Sequence, residues 1–328
     1  MTEKDTFWQD QIFNVSEGDF LALAQQIFVH QLGHNPIYAQ FVQALGRSGP
    51  ITTVQEFPFL PIGFFKTHRV VSFKGEGQAV FTSSSTGGTG ASSHVVKNLA
   101  VYKAAFMRGF ERVYGPVQQY AVLCLLPSYM EREGSGLIYM AQALVAASGC
   151  ADSGFFLQAK GELVHTLQRR EAAGKRTLLL GVTFALLDFA AAYPMPLRHT
   201  VVMETGGMKG RKAEITRAEV HEELIQAFGL PAIAAEYGMT EMMSQAYAIA
   251  DGLFTCPPWL RVLVRQQDDP LQVQNSGVGL LCIVDLANVH SCAFIETADL
   301  GRVYANGSFE VLGRVDHSDV RGCSLLAL

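Results

Sequence analysis

The stretch FTSSSTGGTGASSH, Phe81 to His94, is built almost wholly from Ser, Thr and Gly and carries no charge before its final His. Glycines let the backbone come close to a ligand, and hydroxyls add donors to the main-chain N–H groups. The composition therefore suits an oxyanion such as a phosphate, and in isolation it suits an exposed turn equally well. The common nucleotide loops G-x-x-x-x-G-K-S/T and G-x-G-x-x-G are both absent. Three later stretches carry complementary chemistry. ETGGMKGR, Glu204 to Arg211, sets the paired glycines Gly206 and Gly207, against which a flat ring can lie, beside the cation of Lys209. A tight turn with a solvated Lys fits the same residues. EYGMTEMMSQAY, Glu236 to Tyr247, offers Tyr237 to stack on a base, Thr240 to donate to a phosphate and Glu241 to hold a hard cation such as Mg²⁺. The plainer alternative is a core aromatic with an acid at a helix start. TADLGR, Thr297 to Arg302, puts Asp299 in a turn, where its carboxylate accepts from both ribose hydroxyls or closes an Asx-turn.

These residues need a scaffold, and the apolar periods predict one. QAVF before the Ser/Gly loop reads as a strand, and HVVKNLAVYKAAFMRGFERVYG after it reads as a helix capped by Ser92 or Ser93. From Tyr120 onward strands alternate with helices: YAVLCLL, GSGLIYMAQALVAASG, GELVHTLQRREAAG, RTLLLGV, a helix to Tyr193, then TVVMET. TRAEVHEELIQAFG carries a Thr216/Glu219 capping box and a terminal Gly229, and AIAAEYG follows. Apolar strands alternating with helices indicate a parallel sheet covered on both faces. Beyond Cys256 short strands take over (RVLVR, GLLCIVDL, CAFIET, GRVYA, SFEVLG), as a β-rich lobe would require. A first helix, Ser16 to Gln31, places Phe20, Leu23, Ala24, Ile27 and Phe28 on one face with Ser16 as its cap.

Composition excludes several functions. The chain has 328 residues, 49% of them apolar, and a net charge of −5 with acids and bases interspersed, which argues against a nucleic-acid binder. Its longest apolar run, Thr177 to Tyr193, is broken by Asp188, so no membrane span is expected. The first ten residues lack the apolar stretch of a secretory signal, which leaves a cytoplasmic protein as the expectation. The six cysteines (Cys124, Cys150, Cys256, Cys282, Cys292 and Cys323) show no close pairing, against zinc or a disulfide framework.

The joint order TSSSTGGTG, ETGGMKG, EYGMTE, TADLGR and GRVD resembles the motif series of the adenylate-forming enzymes, which include acyl-CoA ligases and luciferases. PSYMEREGSGLIYM, EYGMTEMMSQAY, CPPWLRVLVR, DLAN and VRGCSL further resemble the acyl-protein synthetase family, from about PFLPIGFFK to the C terminus. Its best-known members activate fatty acids for the aldehyde-forming reductase of bacterial bioluminescence. The resemblance implies a large α/β core with largely parallel sheets flanked by helices, plus the small β-rich lobe. It places the core at residues 1–312 with the lobe at about 256–312, followed by a hinge remnant and tail at 313–328. It implies ATP and Mg²⁺ as cofactors and a two-step reaction, from acid to acyl-adenylate and then to a thioester. Carried over by motif, Thr82, Ser83, Ser84, Ser85, Thr86, Gly87 and Gly88 hold the departing phosphates. Gly206 and Gly207 border the adenine, Tyr237 stacks on it, Gly238 is nucleotide-binding, Thr240 touches the α-phosphate, Glu241 binds Mg²⁺, Asp299 holds the ribose and Arg314 sits at the hinge near the nucleotide.

Two departures stand out. The usual loop ends in a Pro-Lys pair, and here TGAS stands in its place, with Lys209, Arg211 and Lys97 as candidates to compensate. Most relatives continue past the hinge into a lid of roughly a hundred residues, whereas fourteen residues follow Arg314. Among those fourteen is Cys323, in the RGC that the resemblance implies to be the acyl carrier; Arg321 beside it favours a thiolate. A small apolar residue tucking the tail onto the core fits the same position. Tyr129, Ser135 and Gly136 are candidate walls of the acyl pocket, and His68, with Phe64 and Phe65, is a candidate for its channel. The implied partners are a fatty or other carboxylic acid and a protein acceptor, an acyl-CoA or acyl-protein reductase or an acyl carrier protein. Two alternatives stay open: an acyl- or aryl-CoA ligase or carrier-loading enzyme with Cys323 incidental, and a non-catalytic nucleotide- or acyl-binding subunit.

Overall fold

The computed structural model describes residues 3–47, 49–83, 90–127, 134–206, 216–266, 269 and 271–315. Three helices open the chain, α1 (Glu3–Phe13), α2 (Phe20–His34) and α3 (Pro36–Ala44), followed by β1 (Leu60–Pro61) and α4 (Phe64–Thr67). A two-stranded hairpin comes next, β2 (Ala79–Thr82) with β3 (Ser93–Val96), and then α5 (Leu99–Tyr114). The α/β run holds β4 (Ala121–Leu125), α6 (Gly136–Ser148), β5 (Gly154–Phe155), α7 (Lys160–Ala172), β6 (Thr177–Val182) and α8 (Thr183–Ala192). It ends with β7 (Thr200–Thr205), α9 (Arg217–Phe228) and β8 (Ala234–Tyr237). The remaining strands are β9 (Ala246–Ala248), β10 (Phe254–Thr255), β11 (Leu260–Arg265), β12 (Val273–Gln274), β13 (Gly277–Asp285), β14 (Phe294–Val303) and β15 (Phe309–Arg314).

Strand alternation sorts the core into layers. Ala121, Leu123 and Leu125 of β4 pack with Leu163, Leu186 and Leu224 of α7, α8 and α9. Their neighbours Val122 and Cys124 face the other way, toward Phe106 of α5 and Leu144 of α6. A parallel sheet buried on both faces needs such near-continuous apolar strands, and β4, β6, β7 and β8 supply them. β5, β4, β6, β7 and β8 run parallel in that order, and β9, β10, β15, β14, β13, β11 and β12 continue the same sheet antiparallel. The expected β-rich strands are thus present and extend the parallel half. From β4 the chain passes to β5 on one side and returns to β6 on the other, which leaves a crevice at the carboxyl ends of β4 and β6.

The structure corrects four local expectations. The Ser/Thr/Gly loop joins two antiparallel strands: His94, Val95 and Val96 belong to β3, where ladder pairing with β2 and burial of all three override helix patterning. Helix α5 starts later, at Leu99, and is capped by Asn98, whose side chain accepts from the Ala100 N–H, in place of Ser92 or Ser93. Helix α2 starts at Phe20, because Ser16 closes a turn onto Asp19. Asp299 lies within a strand: CAFIET and GRVYA form one long β14, held between β13 and β15 with a local register shift. Other elements match the expectation, including the Thr216/Glu219 capping box and the left-handed Gly229 that ends α9. Among the described residues no helix is long and apolar enough to cross a membrane.

Candidate active site

The base of the Ser/Thr/Gly loop is closed by its own residues. The Ser83 N–H donates to the Ser92 carbonyl (3.0 Å), and the Ser92 N–H donates to Ser83 Oγ (2.9 Å). The Thr82 N–H reaches the Gly134 carbonyl (2.7 Å), which docks the hairpin beside the turn that follows β4. Ser84, Ser85, Thr86, Gly87 and Gly88 lie outside the described residues. Against β2, Gly136 opens α6 where a Cβ would stand 3.1 Å from the Tyr102 hydroxyl and 3.2 Å from the Phe81 ring. Ser135 is buried and caps the helix by accepting from the Ile138 N–H (3.4 Å). Tyr129 lies outside the described residues.

The ends of β7 and β8 carry buried acids on opposite faces. Glu204 accepts from the Arg217 guanidinium (2.7 Å) and the Thr183 hydroxyl (2.8 Å). Burial pushes Glu204 up, but His221, Arg217 and Thr183 outweigh it and hold the carboxyl below the ordinary range. Thr205 donates to Glu236, its direct neighbour in the β7–β8 ladder. Burial, with the Glu204 charge adding to it and the Thr205 hydrogen bond opposing, pushes Glu236 up to about 7. Gly206 follows β7 with φ 83°, a left-handed backbone that favours glycine. Gly207, Lys209 and Arg211 lie outside the described residues.

Motifs distant in sequence converge at the end of β8. The Tyr237 hydroxyl donates to Asp299 (2.8 Å), and burial beside that carboxylate holds the phenol well above its ordinary range. Asp299 pairs in register with Arg314, whose guanidinium stands 3.9 Å from the carboxylate. The Tyr237 ring packs against Phe254 and Phe309 and is 7% exposed. Gly238 is exposed, and Thr240 and Glu241 follow in an irregular loop held from outside. His94 donates its Nδ1 proton to the Thr240 carbonyl (2.8 Å), and Asn288 Nδ2 donates to the Glu241 carbonyl (2.8 Å). Asp285 accepts from the N–H groups of Met243 (2.8 Å) and Ser244 (3.0 Å) and from the Ser244 hydroxyl (2.6 Å). Burial pushes Asp285 up to about 6 against these donors, and pushes His94 down to about 4.

The structure thus brings Tyr237, Asp299 and Arg314 into contact and sets Thr240 and Glu241 just beyond them. His68 is exposed at the end of α4, stacked on Phe64 and hydrogen-bonded with Thr67, without a bond to the other candidates. Phe65 is fully buried against the His94 ring and serves the core. Lys97 lies over the Phe73 ring. Cys323 lies outside the described residues. Burial pushes the thiols of Cys124, Cys282 and Cys292 up, which suits packing rather than nucleophilic attack. Among the described residues no group of three His, Cys, Asp or Glu could hold a metal ion. Glu241, the candidate carboxylate for Mg²⁺, is 5% exposed in the loop after β8. Sequence reasoning missed His94, Glu236, Asp285 and Asn288 as parts of this site. A signal existed for three of them: an acid in the otherwise apolar strand AIAAEY, and two polar residues in DLAN.

No curated protein matches this chain in sequence. Among solved structures it is similar to the o-succinylbenzoate coenzyme A synthetase (MenE) of Bacillus subtilis in complex with AMP, at 17% identity and a TM-score of 0.48. That match covers 73% of this chain and 49% of the other. It is also similar to a luciferase-like enzyme of the mealworm Zophobas morio (14%, TM-score 0.46, 73% of this chain and 57% of the other). A benzoate CoA ligase of Burkholderia xenovorans LB400 matches at 15% with a TM-score of 0.45, over 68% of this chain and 47% of the other. The chain spans about half the length of these structures. The family description "Acyl-protein synthetase, LuxE" matches residues 13–327, nearly the whole sequence. The chain belongs to the LuxE acyl-protein synthetase family.

Proposed function

We propose that this protein activates a carboxylic acid with ATP and passes the acyl group to the Cys323 thiol, as a thioester for delivery to a protein acceptor. The observation that carries the reading is the hydrogen bond between Tyr237 and Asp299, 62 residues apart, at the end of β8 beside Thr240 and Glu241. Membership of the acyl-protein synthetase family supports the same chemistry. In the first step a carboxylate oxygen forms a bond to the α-phosphorus, and the bond to the bridging oxygen breaks. Pyrophosphate leaves and an acyl-adenylate remains. In the second step a thiolate attacks the acyl carbon, the bond to the AMP oxygen breaks, and AMP departs. Asp299 accepts from the ribose hydroxyls, and Tyr237 fixes the orientation of its carboxylate. Thr240 donates to the α-phosphate, and the hairpin tip binds the departing phosphates through N–H and hydroxyl donors. Glu241 would hold Mg²⁺, which when bound neutralises charge on the phosphate oxygens. Lys209 is the candidate cation of the ETGG turn, and Ser135 and Gly136 are the candidate wall of the acyl pocket. A fatty acid is the expected substrate class from the family, with an acyl-protein reductase or acyl carrier protein as acceptor.

Acid-dependent pyrophosphate release across a panel of fatty and aryl acids tests the first step, and intact-protein mass spectrometry tests the second. We expect a hydroxylamine-labile adduct that disappears in Cys323→Ser while ATP–pyrophosphate exchange persists. Glu241→Ala should abolish the exchange. An adduct that survives the Cys323 substitution removes the cysteine from the mechanism. Exchange with no adduct, but with turnover on coenzyme A, points to a soluble thiol acceptor. A protein that releases no pyrophosphate with any acid would be a binding subunit.

A further inference from the structure

We propose that His94 and Asn288 are positioning residues that clamp the Thr240–Glu241 main chain, His94 to the phosphate-binding hairpin and Asn288 to the turn after β13; the inference rests on the acid-activating reading above. Residues 238–245 form neither helix nor strand, so their carbonyl and N–H groups need partners from elsewhere. The two consecutive carbonyls at Thr240 and Glu241 find them on two different elements. One is β3, where the His94 ring is 1% exposed and gives its Nδ1 proton to Thr240, 146 positions away. The other is the 3-10 turn Leu286–Asn288, from which the Asn288 amide donates to Glu241. Asp285, at the start of that turn, takes the N–H groups of Met243 and Ser244, so one short segment holds the loop at both ends.

The platform is itself rigid. Gln31 of α2 donates to the carbonyls of Asn288 and Val289 (both 3.1 Å) and accepts from the Ala293 N–H (3.1 Å). Asn35 donates to the Ser291 carbonyl (3.0 Å), and Ser291 donates to the Val70 carbonyl (2.7 Å). Gln31, Asn35, Asn288 and Ser291 are all at most 1% exposed. His94 comes two residues after Ser92, the residue that closes the base of the Ser/Thr/Gly loop. Its bond to Thr240 therefore joins the hairpin that receives the departing phosphates to the loop whose side chains face the α-phosphate and its cation. Transfer chemistry loses rate steeply when such groups drift by an ångström, so a clamp on the main chain acts on turnover more than on binding.

The test uses the full chain and two readouts. In acid-dependent ATP–pyrophosphate exchange, His94→Ala and Asn288→Ala should each lower kcat at least tenfold while the KM for ATP stays within threefold. His94→Asn, which keeps an N–H donor near the carbonyl, should recover part of the loss. Calorimetry with a non-cleavable ATP analogue, with and without Mg²⁺, gives a readout independent of turnover. The gain in affinity that Mg²⁺ brings should fall two- to threefold in both alanine variants, with the metal-free affinity unchanged. Unfolding midpoints normalise each value to the folded fraction, and Asn288→Asp and His94→Leu, neither of which can donate to the loop carbonyls, serve as the test pair if an alanine variant does not fold. Donor-less variants that fold with kcat within twofold of wild type, or with an unaltered gain from Mg²⁺, overturn the clamp. So does a wild type without any such gain. If the wild type shows the gain but exchanges with no acid, the acid-activating reading fails and the clamp is judged on the gain alone.

Discussion

At the residue scale the governing fact is how many ionisable groups are buried where strands end. Glu236 has its carboxyl in the sheet core with the Thr205 hydroxyl as its hydrogen-bond donor and Glu204 nearby. Its folded-state pKa, about 7, lies above the ordinary carboxylate value, so between about pH 4.5 and 7 the folded chain holds a proton that the unfolded chain has lost. This contribution favours folding in acid and falls away as pH rises through 7. Glu236→Gln keeps an acceptor for Thr205 and removes the titration. It should flatten the loss of stability from pH 5 to pH 8 by about 2–3 kcal/mol, read from urea unfolding at the two pH values. An unchanged slope would mean that Glu236 keeps its charge in the fold. Asp285, also pushed up, contributes in the same direction, whereas His94, pushed down, opposes both.

At the element scale, side chains at helix starts and hairpin bases decide where ligand-facing loops begin. Thr216 and Glu219 cap α9 reciprocally, and the next residue, Arg217, pairs with Glu204 under the β7 end. Thr216→Ala should cost about 1 kcal/mol of stability, measured as a shift in the denaturation midpoint. A neutral result would mean that tertiary contacts of Arg217 alone hold the first turn. The hairpin offers a contrast: Ser83 uses its hydroxyl to accept the Ser92 N–H and close the loop base, so not every hydroxyl of the loop is free for a ligand.

At the scale of the whole molecule one sheet runs from the helix-covered parallel half into the antiparallel half. The two meet where β8, β9 and β10 fold back and Phe254 of β10 pairs with Phe309 of β15. Those rings stack at 5.2 Å beside Tyr237, and both are fully buried. A continuous sheet with a shared aromatic junction predicts one cooperative transition, with tryptophan fluorescence and helical circular dichroism coinciding. Phe254→Ala should lower stability by about 3–5 kcal/mol through the cavity it leaves. Two separated transitions in the wild type would show that the halves fold independently.

The amino-acid sequence by itself determined the element order of the α/β run, because strands such as RTLLLGV and helices such as TRAEVHEELIQAFG carry their periods and caps locally. It also marked the stretches that hold the candidate site, since Tyr237, Thr240, Glu241 and Asp299 stand in motifs whose order is legible along the chain. Tertiary structure alone decided which of them meet. The bond from Tyr237 to Asp299 depends on β14 running unbroken where a local reading places a turn, and ladder pairing on both sides outweighs that turn propensity. His94 belongs to a strand because it pairs with Phe81 of β2 across the hairpin, and its ring meets the Thr240 carbonyl, which lies far from it in the chain. Local patterning cannot encode a partner 146 residues away; a closed network of buried donors and acceptors can.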